Sequence, residues 1–318
     1  MSYSRIGTPK FYIDTALLAR KLGYIKEENL EGKHYLNPIK TSVLSLDGNF
    51  RRYLNITFKS RYFLNPITHC FFLGHRFFTD NLTLKGYIVN SSGAVSSTLF
   101  NQTVDTNGFT KLENLAGVSK DLDAERFTVK ISTESDDVIY PTFSIGDLSA
   151  GWSYEMPHSP DLELTQTFLN ESVTTQTTKS GYTLTDSKWT KAPRWGEYPQ
   201  WRRSSNDIEY PFRRSWNLKF SYLNDTDLMP QYYTEQDSIS SNRGLFERIV
   251  QTDPNEFNIK QDFLSKVMPT INLGLPFIFQ PDKDVEEYAI CRANANSITF
   301  NQVSHRIYDV SLDIIETW

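Results

Sequence analysis

The sequence predicts a mainly β protein: an antiparallel β-sandwich followed by a smaller C-terminal α+β or β-rich domain, with a few short helices. Three observations lead there. Aromatic residues are abundant, with 21 Phe, 17 Tyr and 6 Trp among 318 residues, and such side chains suit pleated surfaces. Short runs of period two recur along the chain. Turn dipeptides (Asp-Gly, Asn-Gly, Ser-Gly) separate them at intervals of roughly 10 residues, the spacing of a sandwich rather than of βαβ units.

Size and charge narrow the class further. A chain of 318 residues makes one large or two medium domains and can bury a core without covalent staples. Its two cysteines, Cys70 and Cys291, are too few and too distant for a disulfide framework or a zinc module. The net charge of −5 is well mixed, which argues against a nucleic-acid surface. The opening stretch MSYSRIGTPKFYIDTALLARKLGY lacks the basic, apolar and small-residue regions of an export signal. No apolar run approaches the roughly 20 residues that span a bilayer, so no membrane insertion is expected.

The first expected unit, residues 1–45, is an N-terminal helix and arm. Helical spacing of Tyr12, Thr15 or Ala16, and Ala19 or Leu22 predicts a helix over 11–22, with Pro9 near its start and Gly23 as its C-cap. The second unit, 46–170, is the sandwich. Its strands are RRYLNITFK, the stretch ITHCFFLGHRFF, LTLKGYIV, ERFTVKIST and TFSIGDLSAGW, the last ending in a turn of small residues. Residues 171–211 read as an aromatic-rich extended arm or hairpin, because the stretch is polar, turn-rich and too long for an ordinary connection. The fourth unit, 212–318, opens on RRSWNLKFSYL, with Trp216, Leu218, Phe220 and Tyr222 on one face. It closes on HRIYDVSLDIIETW, with Tyr308, Val310, Leu312 and Ile314 on one face. Between these strands lie a helical region over 242–273 and two strands joined by a Pro-Asp turn.

Reactive side chains concentrate in ITHCFFLGHRFF, which holds His69, Cys70 and His75. On a strand, His69 and His75 share a face while Cys70 points away. At ~3.3 Å per residue the two histidines stand about 20 Å apart, too far to share one ion. No HExxH, CxxC, GxSxG, P-loop or GxGxxG pattern accompanies them. The reading is a core strand in which Cys70, Phe72 and Leu73 pack and the chain turns at Gly74-His75. Carboxylate pairs such as Asp136-Asp137 and Glu286-Glu287, and Arg pairs such as Arg213-Arg214, sit in polar or strand-edge settings. The expectation is a chain that is not an enzyme, with no catalytic residue, metal or cofactor.

Several of these stretches resemble tailed-bacteriophage virion proteins that carry a discoidin-like, or galactose-binding-like, β-sandwich. In that family an apolar strand ends in Leu-Gly-His, as in FFLGHRFF, though Arg76 stands where the family commonly has Asn. SIGDLSAGW matches a later Ile-Gly-x-Leu-x-x-Gly element, and SGYTL followed by RRSWNLKF matches a hairpin leading into an Arg-rich strand. The opening SRIGTPKFYID is similar to the start of such proteins from marine phages. The resemblance implies a galactose-binding-like antiparallel sandwich and a virion location, assembled in the host cytoplasm. It also implies a tail or distal-tail ring or adaptor protein whose partners are its own copies and other virion proteins. The alternative is a carbohydrate-binding adhesion module whose partner is a host surface glycan. Because Trp, Tyr and Arg dominate interface hot spots, the candidate contact residues are Trp189, Arg194, Trp195, Tyr198, Trp201 and Arg202.

Overall fold

The computed structural model describes residues 7–14, 17–18, 21, 25–27, 42–45, 52–58, 68–73, 82–90, 95–103, 109–113, 124–133, 142–145, 147–161, 165–169, 173–187, 194–195, 198–199, 213–228, 262–294 and 298–317. Its strands run, in chain order, β1 Lys10–Asp14, β2 Ile25–Glu27, β3 Ser42–Ser45, β4 Arg52–Phe58, β5 His69–Leu73, β6 Leu82–Asn90 and β7 Val95–Thr103. They continue with β8 Phe109–Glu113, β9 Ala124–Thr133, β10 Thr142–Ile145, β11 Asp147–Glu155, β12 Thr165–Leu169, β13 Val173–Thr177 and β14 Thr183–Ser187. The last are β15 Arg194–Trp195, β16 Tyr198–Pro199, β17 Arg213–Asn224, β18 Phe277–Gln280, β19 Ala289–Ala293, β20 Thr299–Ser304 and β21 Ile307–Glu316. Helices are short: α1 Asp225–Leu228, α2 Phe263–Lys266 and α3 Met268–Asn272. The protein is mainly β, as expected.

The largest sheet has ten strands in the order β12-β17-β21-β19-β18-β1-β11-β5-β8, with β20 also paired to β21. A five-stranded sheet runs β2-β4-β9-β6-β7, and β10–β3, β13–β14 and β15–β16 form two-stranded sheets. Every ladder among the described residues is antiparallel. The ten-stranded sheet crosses the boundaries drawn at 170 and 212, because β11 pairs β1 and β1 pairs β18. Residues on both sides of the arm therefore share one backbone ladder.

The helix expected over 11–22 is corrected at its start, where Lys10–Asp14 is a strand. Phe11, Tyr12, Ile13 and Asp14 are all buried. Phe11 and Ile13 join the main apolar cluster with Trp152, Trp216 and Phe277, while Tyr12 joins Phe71, Tyr288 and Ile290 in a second one. A strand covered on both faces reads as a continuous apolar run, which periodicity alone does not separate from a buried helix. The helical signal begins only past Asp14, whose Oδ1 accepts a hydrogen bond from Leu17 N at 2.9 Å. That is the geometry by which Asp satisfies an orphan amide at a helix start.

The small-residue turn expected at the end of TFSIGDLSAGW is also corrected. Ser149, Ala150 and Gly151 lie inside β11, opposite Phe71, Cys70 and His69 on β5. Gly151 also lies opposite Asp14 on β1. Small side chains there leave room for bulky ones on the flanking strands, where a strand glycine marks close packing.

On β17, Trp216, Leu218 and Phe220 are buried as expected. Tyr222 is not, and the expectation for it is corrected. A register shift between Phe220 and Leu223 places one extra residue in the strand, so Leu223 takes the inward position. Tyr222 turns outward with φ 63°, as a bulge permits. On β21, Val310, Leu312 and Ile314 are buried and Tyr308 packs against the same cluster. The expected C-terminal helical region appears as α2 and α3, α2 capped by Asp262 Oδ1 accepting from Ser265 N at 2.8 Å. Residues 242–261 lie outside the described residues.

Arg214 and Glu316 join β17 to β21 inside this sheet, at 3% and 2% exposure. Arg214 Nε and backbone N both donate to Glu316 Oε2 at 3.0 Å, and Nη2 donates to Oε1 at 3.2 Å. Nη1 also reaches Glu287, and the guanidinium lies 5.0 Å from the Trp216 ring centroid. Burial disfavours this charge, but Glu316 and then Glu287 outweigh it and hold the guanidinium above its ordinary pKa. Removing one partner strands the other charge in the core. Arg214→Ala is therefore expected to cost about 3–5 kcal/mol, whereas Arg214→Met combined with Glu316→Leu costs far less. Urea unfolding midpoints of the two variants at unchanged m-value check this.

Candidate functional site

The arm expected at 171–211 contains a freestanding hairpin. β13 and β14 pair from Val173 opposite Ser187 to Thr177 opposite Thr183. Among the described residues neither strand pairs with a third. The turn is closed by Thr178 N donating to Tyr182 O at 2.7 Å and Gly181 N donating to Thr178 O at 2.9 Å. Gly181 has φ 85°, the left-handed position that a three-residue loop with a bulge requires. Its local chemistry suffices to form the turn.

Nearly every side chain of the hairpin faces solvent. Residues 174–177 and 179–186 are exposed, and Thr178 is half-buried. Four large apolar side chains are exposed among the described residues, and two stand here: Tyr182 at 75% and Leu184 at 59%. Leu184 lies opposite Gln176, so one face carries Leu184 with Thr174, Gln176 and Asp186. Strands β13 and β14 bear one charged residue between them, Asp186. Exposed aromatic and aliphatic side chains of this kind gain most when water is excluded from them.

Of the six candidate contact residues, three lie among the described residues. Arg194 lies opposite Pro199, and Trp195 opposite Tyr198, in the ladder β15–β16. Trp189, Trp201 and Arg202 lie outside the described residues. Tyr182 and Leu184 were not among the candidates, although the sequence carries their signal. Thr-Lys-Ser-Gly-Tyr is a turn signature, and VTTQT and TLTDS both lack the apolar alternation of a strand with a buried face.

The reactive groups of β5 are packed rather than displayed. His69, Cys70, Phe71 and Leu73 are fully buried. The His69 ring stands edge-on to Tyr12 at 5.0 Å and to Phe71 at 5.4 Å. Burial, reinforced by Asp14, pushes the Cys70 thiol well above its ordinary value. Burial and then Glu316 raise Cys291 likewise, with Arg214 opposing. Both thiols thus stay protonated at neutral pH and pack as small apolar groups. The Phe72 side chain and the turn expected at Gly74-His75 lie outside the described residues. No group of three or more His, Cys, Asp or Glu side chains among the described residues could hold a metal ion.

A second buried cluster surrounds α2. Lys266 is 3% exposed, with Nζ 5.0 Å from the Trp152 ring centroid. Trp152 Nε1 donates to Lys266 O at 3.0 Å. Tyr154 Oη donates to Asp227 O at 3.1 Å, and burial, then Asp227 and Asp262, push its phenol up. Burial pulls the Lys266 ammonium down to about 8 against the opposing effect of Asp262. These contacts join α2 to β11. No protein-family model matches the chain, and no curated protein matches it.

The lowered value of Lys266 has a pH consequence of definite sign. Between about 8 and its ordinary value of 10.5, the unfolded chain holds the proton and the folded chain has released it. Stability from this group therefore rises with pH across that window. Relative to Lys266→Met, the wild type is expected to gain up to ~3 kcal/mol from pH 8 to 10.5, and to be the less stable of the two at pH 7. Thermal midpoints of both proteins across that range check it. Differences that stay constant would remove the assignment.

Proposed function

We propose that this chain is a structural component of a tailed-phage particle, a tail or distal-tail ring or adaptor protein that assembles through repeated copies. The observation that carries the reading is the hairpin β13–β14, with Tyr182 and Leu184 exposed and no third strand among the described residues. A two-stranded hairpin is marginal in water by itself, so one that pairs with no third strand gains order where it meets a partner. The motifs FFLGHRFF, SIGDLSAGW and RRSWNLKF support the same reading through their resemblance to virion proteins. The galactose-binding-like sandwich belongs to this proposal too, within a fold that is mainly antiparallel β. Partners are other copies of the chain and neighbouring virion proteins.

A second reading, a carbohydrate-binding adhesion module, is favoured by one observation. Tyr222 is 76% exposed with φ 63°, a conformation costing of order 1–3 kcal/mol that tends to be kept at functional sites. Its backbone N donates to Asp309 Oδ1 at 3.1 Å, with Lys219 and Asn224 exposed on the same strand. An exposed ring among polar groups suits a sugar face. Retention on a glycan array that disappears in Tyr222→Ala supports this reading, and no retention by the wild type removes it.

Two measurements address the assembly reading. Limited proteolysis is expected to cut the free protein between residues 171 and 210 and to leave that segment intact in the assembled particle. Equal resistance in both states would overturn the reading. Tyr182→Ser and Leu184→Ser are exposed changes, expected to alter unfolding free energy by less than about 0.5 kcal/mol. Both are expected to weaken incorporation into particles. Full incorporation of the double variant would remove the hairpin from the contact.

A further inference from the structure

We infer that copies of this chain join by strand addition, the hairpin β13–β14 of one copy pairing antiparallel with the open edge of β20 in the next. The inference rests on the assembly reading above and makes its contact specific.

β20 is an edge strand of the large sheet: it pairs β21 on one side, and among the described residues no strand pairs its other side. Thr299, Asn301, Gln302, Val303 and Ser304 are exposed, while Phe300 is half-buried. Phe300 packs inward, its ring 6.5 Å from that of Phe263. Val303, at 49% exposure, is another of the exposed large apolar side chains. The run Ile298–Ser304 contains no charge and no proline. Edge strands are ordinarily protected from pairing with other chains by charges, prolines or a cover. This one has a single irregularity, between Gln302 and Ser304, and otherwise offers its amides and carbonyls as a template for strand addition.

The matching strand is on the same chain. β13, Val173–Thr177, is also uncharged, free of proline and unpaired on its outer side among the described residues. Docking β13 against β20 buries no charge. It completes a backbone ladder on each side and turns a marginal two-stranded hairpin into part of a sheet. The two surfaces differ, so each copy offers one as donor and one as acceptor. Such head-to-tail contacts close into rings when the rotation between copies permits. Pairing of β20 with its own counterpart would instead stop at a two-fold dimer and would leave the hairpin without a role.

The test uses the full chain. Light scattering of the wild type is expected to show self-association. Val303→Lys and Thr175→Lys, each placing a charge on one of the two edges, are expected to return it to monomer with unchanged circular dichroism and thermal midpoint. In a second arm, copies carrying Thr174→Cys, Thr175→Cys or Gln176→Cys are mixed separately with copies carrying Asn301→Cys and oxidised. The native Cys70 and Cys291 are buried and stay out of the reaction. Crosslinks between unlike copies that alternate in yield along 174–176 are expected, since neighbouring strand positions face opposite ways. Association that survives both lysine variants without such crosslinks would overturn strand addition while leaving the assembly reading in place. Asn301→Cys copies crosslinking only to one another would overturn it in favour of β20 self-pairing. A wild type that stays monomeric at every concentration would overturn the inference and the assembly reading together.

Discussion

The ten-stranded sheet depends on pairing both edges of β1. Five residues near the start of the chain form ladders with β11 on one side and with β18 on the other. Without them, β11 and β18 would each present a row of buried amides and carbonyls with no partner, which an interior does not tolerate. Burial of Phe11 and Ile13 on one face and Tyr12 on the other holds β1 in place. Tyr12 extends its role beyond packing: its Oη donates to Gln280 Oε1 at 2.7 Å. Gln280 Nε2 in turn donates to Lys283 O and Val285 O, ordering the link between β18 and β19. One strand thereby connects strands separated by more than a hundred residues.

Charge inside this sheet is admitted only where it is answered. Arg214 has Glu316, Glu287 and the Tyr288 carbonyl around its guanidinium, and its flat face lies over Trp216. Buried ion pairs contribute little net stability compared with apolar residues of similar volume. Their geometry is nevertheless specific. Arg214 and Glu316 lie on adjacent strands β17 and β21, whose ladder places Ser215 opposite Ile315. A one-residue slip of β21 would turn Glu316 away and expose Val310, Leu312 and Ile314. We assign this pair to register rather than to chemistry.

The polar groups that suggest reactivity are taken up by the same packing. His69 and Cys70 lie within β5, inside the sheet, and Lys266 sits against Trp152 at the end of α2. Among the described residues, the exposed large apolar side chains stand elsewhere: on a Thr-rich hairpin, on an uncharged edge strand and on one outward tyrosine at a bulge. None of these needs a perturbed proton affinity to act. They offer backbone groups, ring faces and small apolar contacts, which are the materials of association.

Much of this was legible in the residues alone. Period-two runs identified β4, β9, β17 and β21, because a half-buried strand writes its two environments into alternate positions. The Ser-Gly turn between β13 and β14 was legible as well. Strand parity separated His69 from Cys70 correctly. Local pattern could not find β1, whose two buried faces erase alternation, or the continuation of β11 through Ser149, Ala150 and Gly151, whose small side chains resemble a turn. The extra residue that sends Tyr222 outward was equally hidden, since a bulge is a property of two strands in register. The sequence by itself determined that the chain is mainly β and where its half-buried strands lie. Only the tertiary structure decided which strands became neighbours, and so which edges were left open, because pairing is a long-range choice that no local periodicity records.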